Sequence, residues 1–214
     1  MEPPLILASR SPARAGLLRS AGIPFDTVVS HVDEDALVAA QGPLSPRDTA
    51  LVLARAKAEA VAQLPGSAGR LVVGCDSVFE LDGEALGKPH DPAVAVERLT
   101  AMSGRTGTLH TGHWLVDARR EPATGQGVLR SADVHFAPMT ATEIRDYVAT
   151  GEPLEVAGSF TLDGHGAVFV RGVTGEPSTV IGLSLSALRE LLGAAGVGLT
   201  SWWEATAHGG PEDL

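Results

Sequence analysis

Short apolar runs alternate with amphipathic stretches along the first half of the chain. The runs have the length of buried strands, and the stretches between them repeat apolar residues with helical spacing. Two Ser-Pro pairs, at Ser11 and Ser45, mark helix starts because serine caps a helix and proline suits its first turn. The pattern predicts strands at Leu5–Ala8, Phe25–Val29 and Leu71–Gly74, and helices at Ala13–Ala21 and from Ser45 to about Leu64.

Paired strands dominate the middle of the chain. Asp82-Gly83 suits the turn of a hairpin, and Thr140 with Glu143 has the spacing of a capping box. After Gly74 the sequence predicts a hairpin at Val78–Leu86, a helix from Asp91 to about Met102, strands at Thr108–Val116 and Gly127–Phe136, a helix from Thr140 to about Thr150, a strand at Ala167–Val173 and a helix at Leu183–Ala195.

Helices that alternate with strands early, followed by strands that pair, indicate an α/β or α+β fold with a mixed sheet. No internal repeat or linker divides the 214 residues, a length that suits one domain. We therefore expect a single domain over residues 1–204, followed by a flexible tail over residues 205–214.

Composition and charge exclude several classes of protein. Hydrophobic residues make up 44% of the chain, which is enough for a core, and the single cysteine, Cys75, excludes a disulfide framework and a cysteine zinc site. The net charge of −10 argues against binding to nucleic acid, since such domains carry a basic face. No signal peptide is visible and no apolar stretch approaches the ~20 residues that cross a bilayer, so we expect a soluble cytoplasmic protein without a membrane partner.

The segment from Ser9 to Arg14 is the first candidate site. A strand delivers the chain to a helix N-terminus, where backbone N–H groups favour anions such as phosphate, and Arg14 lies close enough to bind one. Capping of the helix by Ser11, with a surface arginine nearby, would account for the same residues.

Acidic residues form two further candidates. Asp76 follows the strand Leu71–Gly74, and a carboxylate at the carboxyl end of a buried strand lies where α/β proteins commonly bind ligands. It could bind a divalent cation or act as a general base, or it could be a turn or cap residue. The acidic turn Asp33-Glu34-Asp35 suits Mg²⁺ or Mn²⁺, although such clusters also occur as solvated loops.

Lysine is scarce in this chain, which has only Lys57 and Lys88. Lys57 falls in the Ala-rich helix, and Lys88 lies in a Gly-Lys-Pro loop shortly after Asp76. Two ammonium groups with one carboxylate would suit a phosphate and metal site. No Walker sequence and no Gly-x-Gly-x-x-Gly after a strand is present, so those nucleotide-binding loops are not indicated.

The order of these motifs resembles that of the Maf family over about residues 5–192. The matching blocks are Leu7–Arg14 with Leu17-Leu18, Val32-Asp33-Glu34, Ala56-Lys57-Ala58, Gly74–Ser77, Gly87-Lys88-Pro89, Ser103–Thr106, Thr111-Gly112, Gly151-Glu152-Pro153, Ala157–Phe160 and Val180–Leu183. So many ordered blocks make the resemblance specific.

The resemblance implies an enzyme that hydrolyses nucleoside triphosphates between the α- and β-phosphates, to a nucleoside monophosphate and pyrophosphate. It implies a mixed α/β fold similar to inosine triphosphate pyrophosphatases, with two lobes around a central cleft. By position, Asp76 matches the catalytic carboxylate, and the other matches to functional cleft positions are Ser9, Arg14, Glu34, Lys57 and Lys88. A divalent cation, Mg²⁺, Mn²⁺ or Co²⁺, is expected at Glu34 and Asp76. A homodimer is expected from the resemblance alone.

Three positions that bear on the choice of base depart from the family's dTTP- and UTP-preferring pattern. That pattern is similar to Ser-Pro-Arg-Arg, Asp-Thr and Ile-Gln-Gly, whereas this chain has Ala13, Ser77 and Asp163. The subfamily that acts on 7-methyl-GTP is not matched clearly either, and the form resembles the actinobacterial type. Ser77 and Asp163 are therefore candidate substrate-binding residues, and the preferred base stays open.

Two other functions are consistent with the sequence. A phosphomonoesterase would use the same charged groups but release orthophosphate. A non-catalytic regulator of septum formation or cell division, a role historically attached to the family, would hydrolyse no nucleotide.

Overall fold

A computed structural model describes residues 4–207, with side chains described up to residue 203. The strands are β1 (Leu5–Leu7), β2 (Phe25–Thr27), β3 (Leu71–Leu81), β4 (Glu84–Leu86), β5 (Thr106–Asp117), β6 (Thr124–Phe136) and β7 (Val170–Thr174). The α-helices are α1 (Pro12–Ser20), α2 (Glu34–Gln41), α3 (Pro46–Ala62), α4 (Pro92–Met102), α5 (Ala141–Ala149), α6 (Pro177–Ile181), α7 (Leu185–Ala194) and α8 (Thr200–Ala207).

The strands form one mixed sheet in the order β2-β1-β3-β5-β6-β7, with β4 paired to β3. The β1 pairings with β2 and β3 are parallel, and the pairings of β3, β4, β5, β6 and β7 are antiparallel. The predicted α/β class with a mixed sheet is confirmed, whereas the two lobes around a cleft stay a prediction. No helix among residues 4–207 is long and apolar enough to cross a membrane.

Side-chain caps fix where the main helices begin. Ser11 accepts a hydrogen bond from the backbone N–H of Arg14, and Ser45 accepts one from Asp48. Thr140 and Glu143 form the predicted capping box at the start of α5. These contacts satisfy backbone donors that the first turn of a helix leaves unpaired, which is why the sequence predicted these starts correctly.

The structure corrects three predicted elements. The strand at Leu71–Gly74 does not end before Asp76, because β3 continues to Leu81 and pairs with β5 from Leu71 to Glu80. The acidic turn at 33–35 is instead the start of α2, with Asp33 as its cap. The last strand begins at Val170, after a 3₁₀ turn at His165–Phe169.

The predicted tail is only partly described. Helix α8 (Thr200–Ala207) includes residues 205–207, and residues 208–214 lie outside the described part of the chain. The single-domain and tail assignments stay predictions.

The outer edge of β3 has a gap in its pairing. β1 pairs with Leu71–Val73 and β4 pairs with Phe79–Leu81, so no described strand pairs with residues 74–78 on that side. On the other side β5 continues without a break, with Asp76 opposite Gly112 and Ser77 opposite Thr111. The gap leaves one edge of β3 without a strand partner at the residues that carry candidate chemistry, although their side chains are largely buried.

Helix α3 lies directly on the backbone of the sheet next to this gap. A Cβ added at Gly74 would lie 2.3 Å from the carbonyl oxygen of Ala54, and one added at Gly112 would lie 2.3 Å from that of Ala50. Side chains two residues apart on a strand share a face, so Asp76 faces α3 as Gly74 does. This close contact brings the middle of α3 within reach of Asp76.

We expect Gly74→Ala to destabilise the protein by about 2 kcal/mol or more, because the new methyl group meets backbone atoms that cannot rotate away. Gly193→Ala is the matched control, since Gly193 lies in α7 with nothing within 4 Å of an added Cβ. The control should be neutral or stabilise by up to about 1 kcal/mol. Urea unfolding of both variants measures the difference, and equal stabilities would contradict the packing described.

His113 on β5 holds the start of α7 in place. It is fully buried, and its Nε2 accepts a hydrogen bond of 2.8 Å from the backbone N–H of Ser184, the cap residue of α7. Nδ1 therefore carries the proton and donates to the carbonyl of Val128 at 3.4 Å. Burial lowers the pKa of His113 to about 4, from an ordinary value of 6.5. Protonation of Nε2 would break the bond to Ser184.

Stability is therefore expected to depend on pH between about 6.5 and 4. In this window His113 is protonated in the unfolded chain but not in the folded chain. The free energy of unfolding therefore has its full value above the window and decreases as the pH falls through it. The loss should reach about 3 kcal/mol at the lower end. His113→Gln keeps an acceptor without titrating, and urea unfolding across the window should show a smaller slope for this variant. An unchanged slope would contradict the assignment.

Candidate active site

A buried ion pair lies at the gap in β3. Asp76 is buried, and its Oδ1 lies 2.5 Å from Nζ of Lys57, which projects from α3 and is also buried. The same Nζ lies 2.9 Å from Oε1 of Glu34, at the exposed start of α2. One ammonium group thus bridges two carboxylates that the sequence assigned to the same site.

Burial raises the pKa of the Asp76 carboxyl, because the charged form loses its hydration. The cations of Lys57 and Arg14 act to lower this pKa, and the charge of Glu34 adds to its rise. A carboxyl with a raised pKa is a better proton acceptor near neutral pH than an ordinary aspartate. The location of Asp76 in mid-strand, rather than at a strand end, is what buries it.

Arg14 lies in a second polar cluster, held by three hydrogen bonds. Nε donates to the carbonyl of Gly182 at 2.7 Å, Nη1 donates to Oγ of Ser9 at 3.2 Å, and Nη2 donates to Oγ of Ser77 at 3.2 Å. A guanidinium group has five N–H donors, so two remain after these bonds, one on each terminal nitrogen. A fixed guanidinium with two spare donors suits a phosphate group.

The two clusters lie on opposite faces of the same strand. Asp76 faces α3, and Ser77, the next residue, faces α1. The positive charge of Arg14 nevertheless acts across the strand to lower the pKa of Asp76.

Lys88 lies in the loop after β4, whose last residue, Leu86, pairs with Phe79 at the far end of the gap. The side chain is exposed, and no ion pair or hydrogen bond to it is found in the described part of the chain. The structure therefore places Lys88 near the gap but does not join it to the other site residues.

Asp163 and Ala13 share a pocket beside α1. The pocket has a volume of about 430 Å³, and its lining residues are Pro12, Ala13, Gly16, Leu17, Ser20, Asp163 and Ile181. Two of the three positions that depart from the pyrimidine pattern thus meet in one cavity, next to Arg14 on the same helix.

The loop that carries Asp163 is anchored by Glu152. Its carboxylate accepts hydrogen bonds from the Tyr147 hydroxyl at 2.8 Å and from the backbone N–H groups of His165 at 2.9 Å and Gly166 at 3.0 Å. Burial acts to raise the pKa of Glu152, but hydrogen bonds from Thr161, from the backbone and side chain of His165 and from the backbone of Gly166 lower it to about 2. Glu152 is therefore ionised at neutral pH, and its hydrogen bonds hold the loop in place.

The donor set fits a divalent cation that is shared with a substrate. No group of three or more histidine, cysteine or acidic side chains among the described residues could hold a metal by itself. Glu34 and Asp76 do supply two carboxylates that converge on one cationic group. Mg²⁺ is commonly held by one or two carboxylates together with substrate phosphates, and this pair meets that requirement.

Sequence reasoning missed several groups that shape the site. The carbonyl of Gly182 and the hydroxyl of Thr111 are structural partners of Arg14 and Ser77, although both residues lie in blocks that resemble the family. Asp33, by contrast, belongs to the acidic cluster but serves as the cap of α2. Only the contacts between distant segments of the folded chain distinguish a residue that supports the site from one that caps a helix.

Known proteins similar to this chain share a family. The family model described as Maf-like protein matches residues 4–195. A nucleoside triphosphate pyrophosphatase of Streptomyces avermitilis is 52% identical over 202 residues, which cover 93% of this chain and 94% of the relative. Proteins with the same name from Streptomyces coelicolor and Leifsonia xyli are also 52% identical, over 93% of this chain and 94% and 96% of their own lengths. Because the match extends over nearly all of the sequence, the chain belongs to the Maf family.

Proposed function

We propose that the protein hydrolyses nucleoside triphosphates between the α- and β-phosphates and releases a nucleoside monophosphate and pyrophosphate. The observation that carries this proposal is the buried Asp76–Lys57 pair at a strand edge with Arg14 on the adjoining face. The names of relatives at 52% identity support the same reaction. Removal of non-standard or excess nucleotides in the cytoplasm is the role that we propose for it.

Cationic side chains bind the triphosphate in this proposal. The net charge of −10 repels a polyanion at long range, so binding depends on local positive groups. Arg14 offers two spare N–H donors, Lys57 is fixed beside Asp76, and exposed Lys88 can turn toward the gap. Their charges offset the negative charge that develops on phosphate oxygens in the transition state.

Asp76 accepts the proton of the attacking water or helps to hold the metal. Its raised pKa favours the first role, and its convergence with Glu34 favours the second. A Mg²⁺ or Mn²⁺ ion held by Glu34 and Asp76 would lower the pKa of a bound water and neutralise phosphate charge. Co²⁺ is a third candidate, and a homodimer is proposed on the family resemblance alone.

The product of the reaction tests this proposal against its rivals. With Mg²⁺ or Mn²⁺ and a panel of nucleoside triphosphates, we expect pyrophosphate and nucleoside monophosphate in equal amounts, measured by phosphorus NMR. Orthophosphate as the first product would instead support a phosphomonoesterase. No hydrolysis of any nucleotide would support a non-catalytic role in cell division.

Asp76→Asn should lower kcat by about 100-fold or more, because it removes both the proton acceptor and a charged metal ligand. Asp133→Asn is the matched control, since Asp133 lies on the same sheet and accepts a hydrogen bond from Thr108 away from the gap. Steady-state kinetics and thermal unfolding of both variants separate chemistry from folding. Near-normal turnover of folded Asp76→Asn would remove Asp76 from the reaction.

Lys88→Ala should lower kcat/KM by about tenfold through loss of one charged contact to phosphate. The thermal unfolding midpoint should not change, because Lys88 is exposed and makes no ion pair with the described residues. Arg189→Ala removes one exposed positive charge on α7 and should leave kcat/KM unchanged. If both variants behave alike, Lys88 lies outside the site.

A further inference from the structure

Thr111 is a buried hydroxyl directly behind Ser77. The two residues face each other across β3 and β5, and their hydroxyl oxygens lie 2.9 Å apart. Thr111 has no exposed surface, so it cannot touch a substrate itself. Its Oγ1 also lies 2.8 Å from the backbone carbonyl oxygen of Thr179 on α6.

The chemistry of these groups fixes the direction of each hydrogen bond. A carbonyl oxygen only accepts, so Thr111 gives its single hydroxyl proton to Thr179. Ser77 must then donate its own proton to Thr111. A lone pair of the Ser77 oxygen is left for Nη2 of Arg14, which donates to it at 3.2 Å. A hydroxyl group without this arrangement would be free to rotate.

These bonds close into a ring. The ring runs from Arg14 to Ser77, then to Thr111, and then to the backbone carbonyl of Thr179. That carbonyl also accepts a hydrogen bond of 3.1 Å from the backbone N–H of Gly182. The carbonyl of Gly182 returns to Arg14 by accepting Nε at 2.7 Å. The hydroxyl of Thr111 therefore connects the Ser77 contact of Nη2 to the segment whose Gly182 carbonyl accepts from Nε.

We propose that Thr111 is a positioning residue that orients Arg14 for phosphate through Ser77. The inference rests on the proposed function, in which Arg14 binds the triphosphate. In a purely structural role, Thr111 would only hold α6 against the sheet. A structural role would not depend on the presence of the Ser77 hydroxyl.

A double-mutant cycle with Thr111→Val and Ser77→Ala separates the two roles. We expect each single variant to lower kcat/KM by about fivefold, mainly by a higher KM, because phosphate charge is present in both ground and transition states. The double variant should lose no more than either single variant, since both act by the same route. Thr111→Ser keeps the hydroxyl group and should have the kcat/KM of the wild-type protein. Thr108 lies on β5 like Thr111 and donates a hydroxyl hydrogen bond to Asp133, so Thr108→Val is the control and should leave kcat/KM unchanged.

Binding of inorganic triphosphate, measured by calorimetry on the same variants, makes the test independent of hydrolysis. A fivefold weaker affinity in Thr111→Val, absent in the Ser77→Ala background, supports the inference even if no nucleotide is hydrolysed and the proposed function fails. A loss that persists in the Ser77→Ala background, no loss in Thr111→Val, or no triphosphate binding by the wild-type protein would overturn it. If Thr111→Val does not fold, Thr111→Cys takes its place, because a thiol is a weak donor.

Discussion

The ion pair between Lys57 and Asp76 is the constraint on which the site depends. Two buried charges cost hydration free energy, and each is tolerable only while the other remains beside it. The pair forms because glycines at 74 and 112 let α3 lie on the sheet backbone. A side chain at either position would move the helix outward and separate Lys57 from Asp76.

The same strand also links the two kinds of chemistry. Asp76 and Ser77 are neighbours, so their side chains point to opposite faces of β3, at the stretch of residues 74–78 that has a strand partner on one side only. The carboxylates of Asp76 and Glu34, which we propose as metal ligands, therefore lie on one face and the guanidinium of Arg14 on the other.

Local signals in the sequence predicted local structure well. The caps at Ser11, Ser45 and Thr140 and the hairpin turn at Asp82-Gly83 depend on neighbouring residues only, and all are found in the structure. The prediction that the strand ends at Gly74 is wrong, because the small and polar residues that follow are held extended by pairing with β5. Contacts such as that of Arg14 with Gly182, 168 residues apart, carry no local signal at all. The resemblance names Ser9, Arg14 and Ser77 as site residues, but it does not give the hydrogen bonds that join them.

The most direct test of the site is a crystal structure with Mn²⁺ and a nucleoside triphosphate whose α,β-bridging oxygen is replaced by a methylene group. We expect an anomalous peak in direct contact with carboxylate oxygens of Asp76 and Glu34, with the phosphates in contact with Arg14 and Lys57. A nucleotide bound elsewhere, or a metal that contacts neither carboxylate, would contradict it.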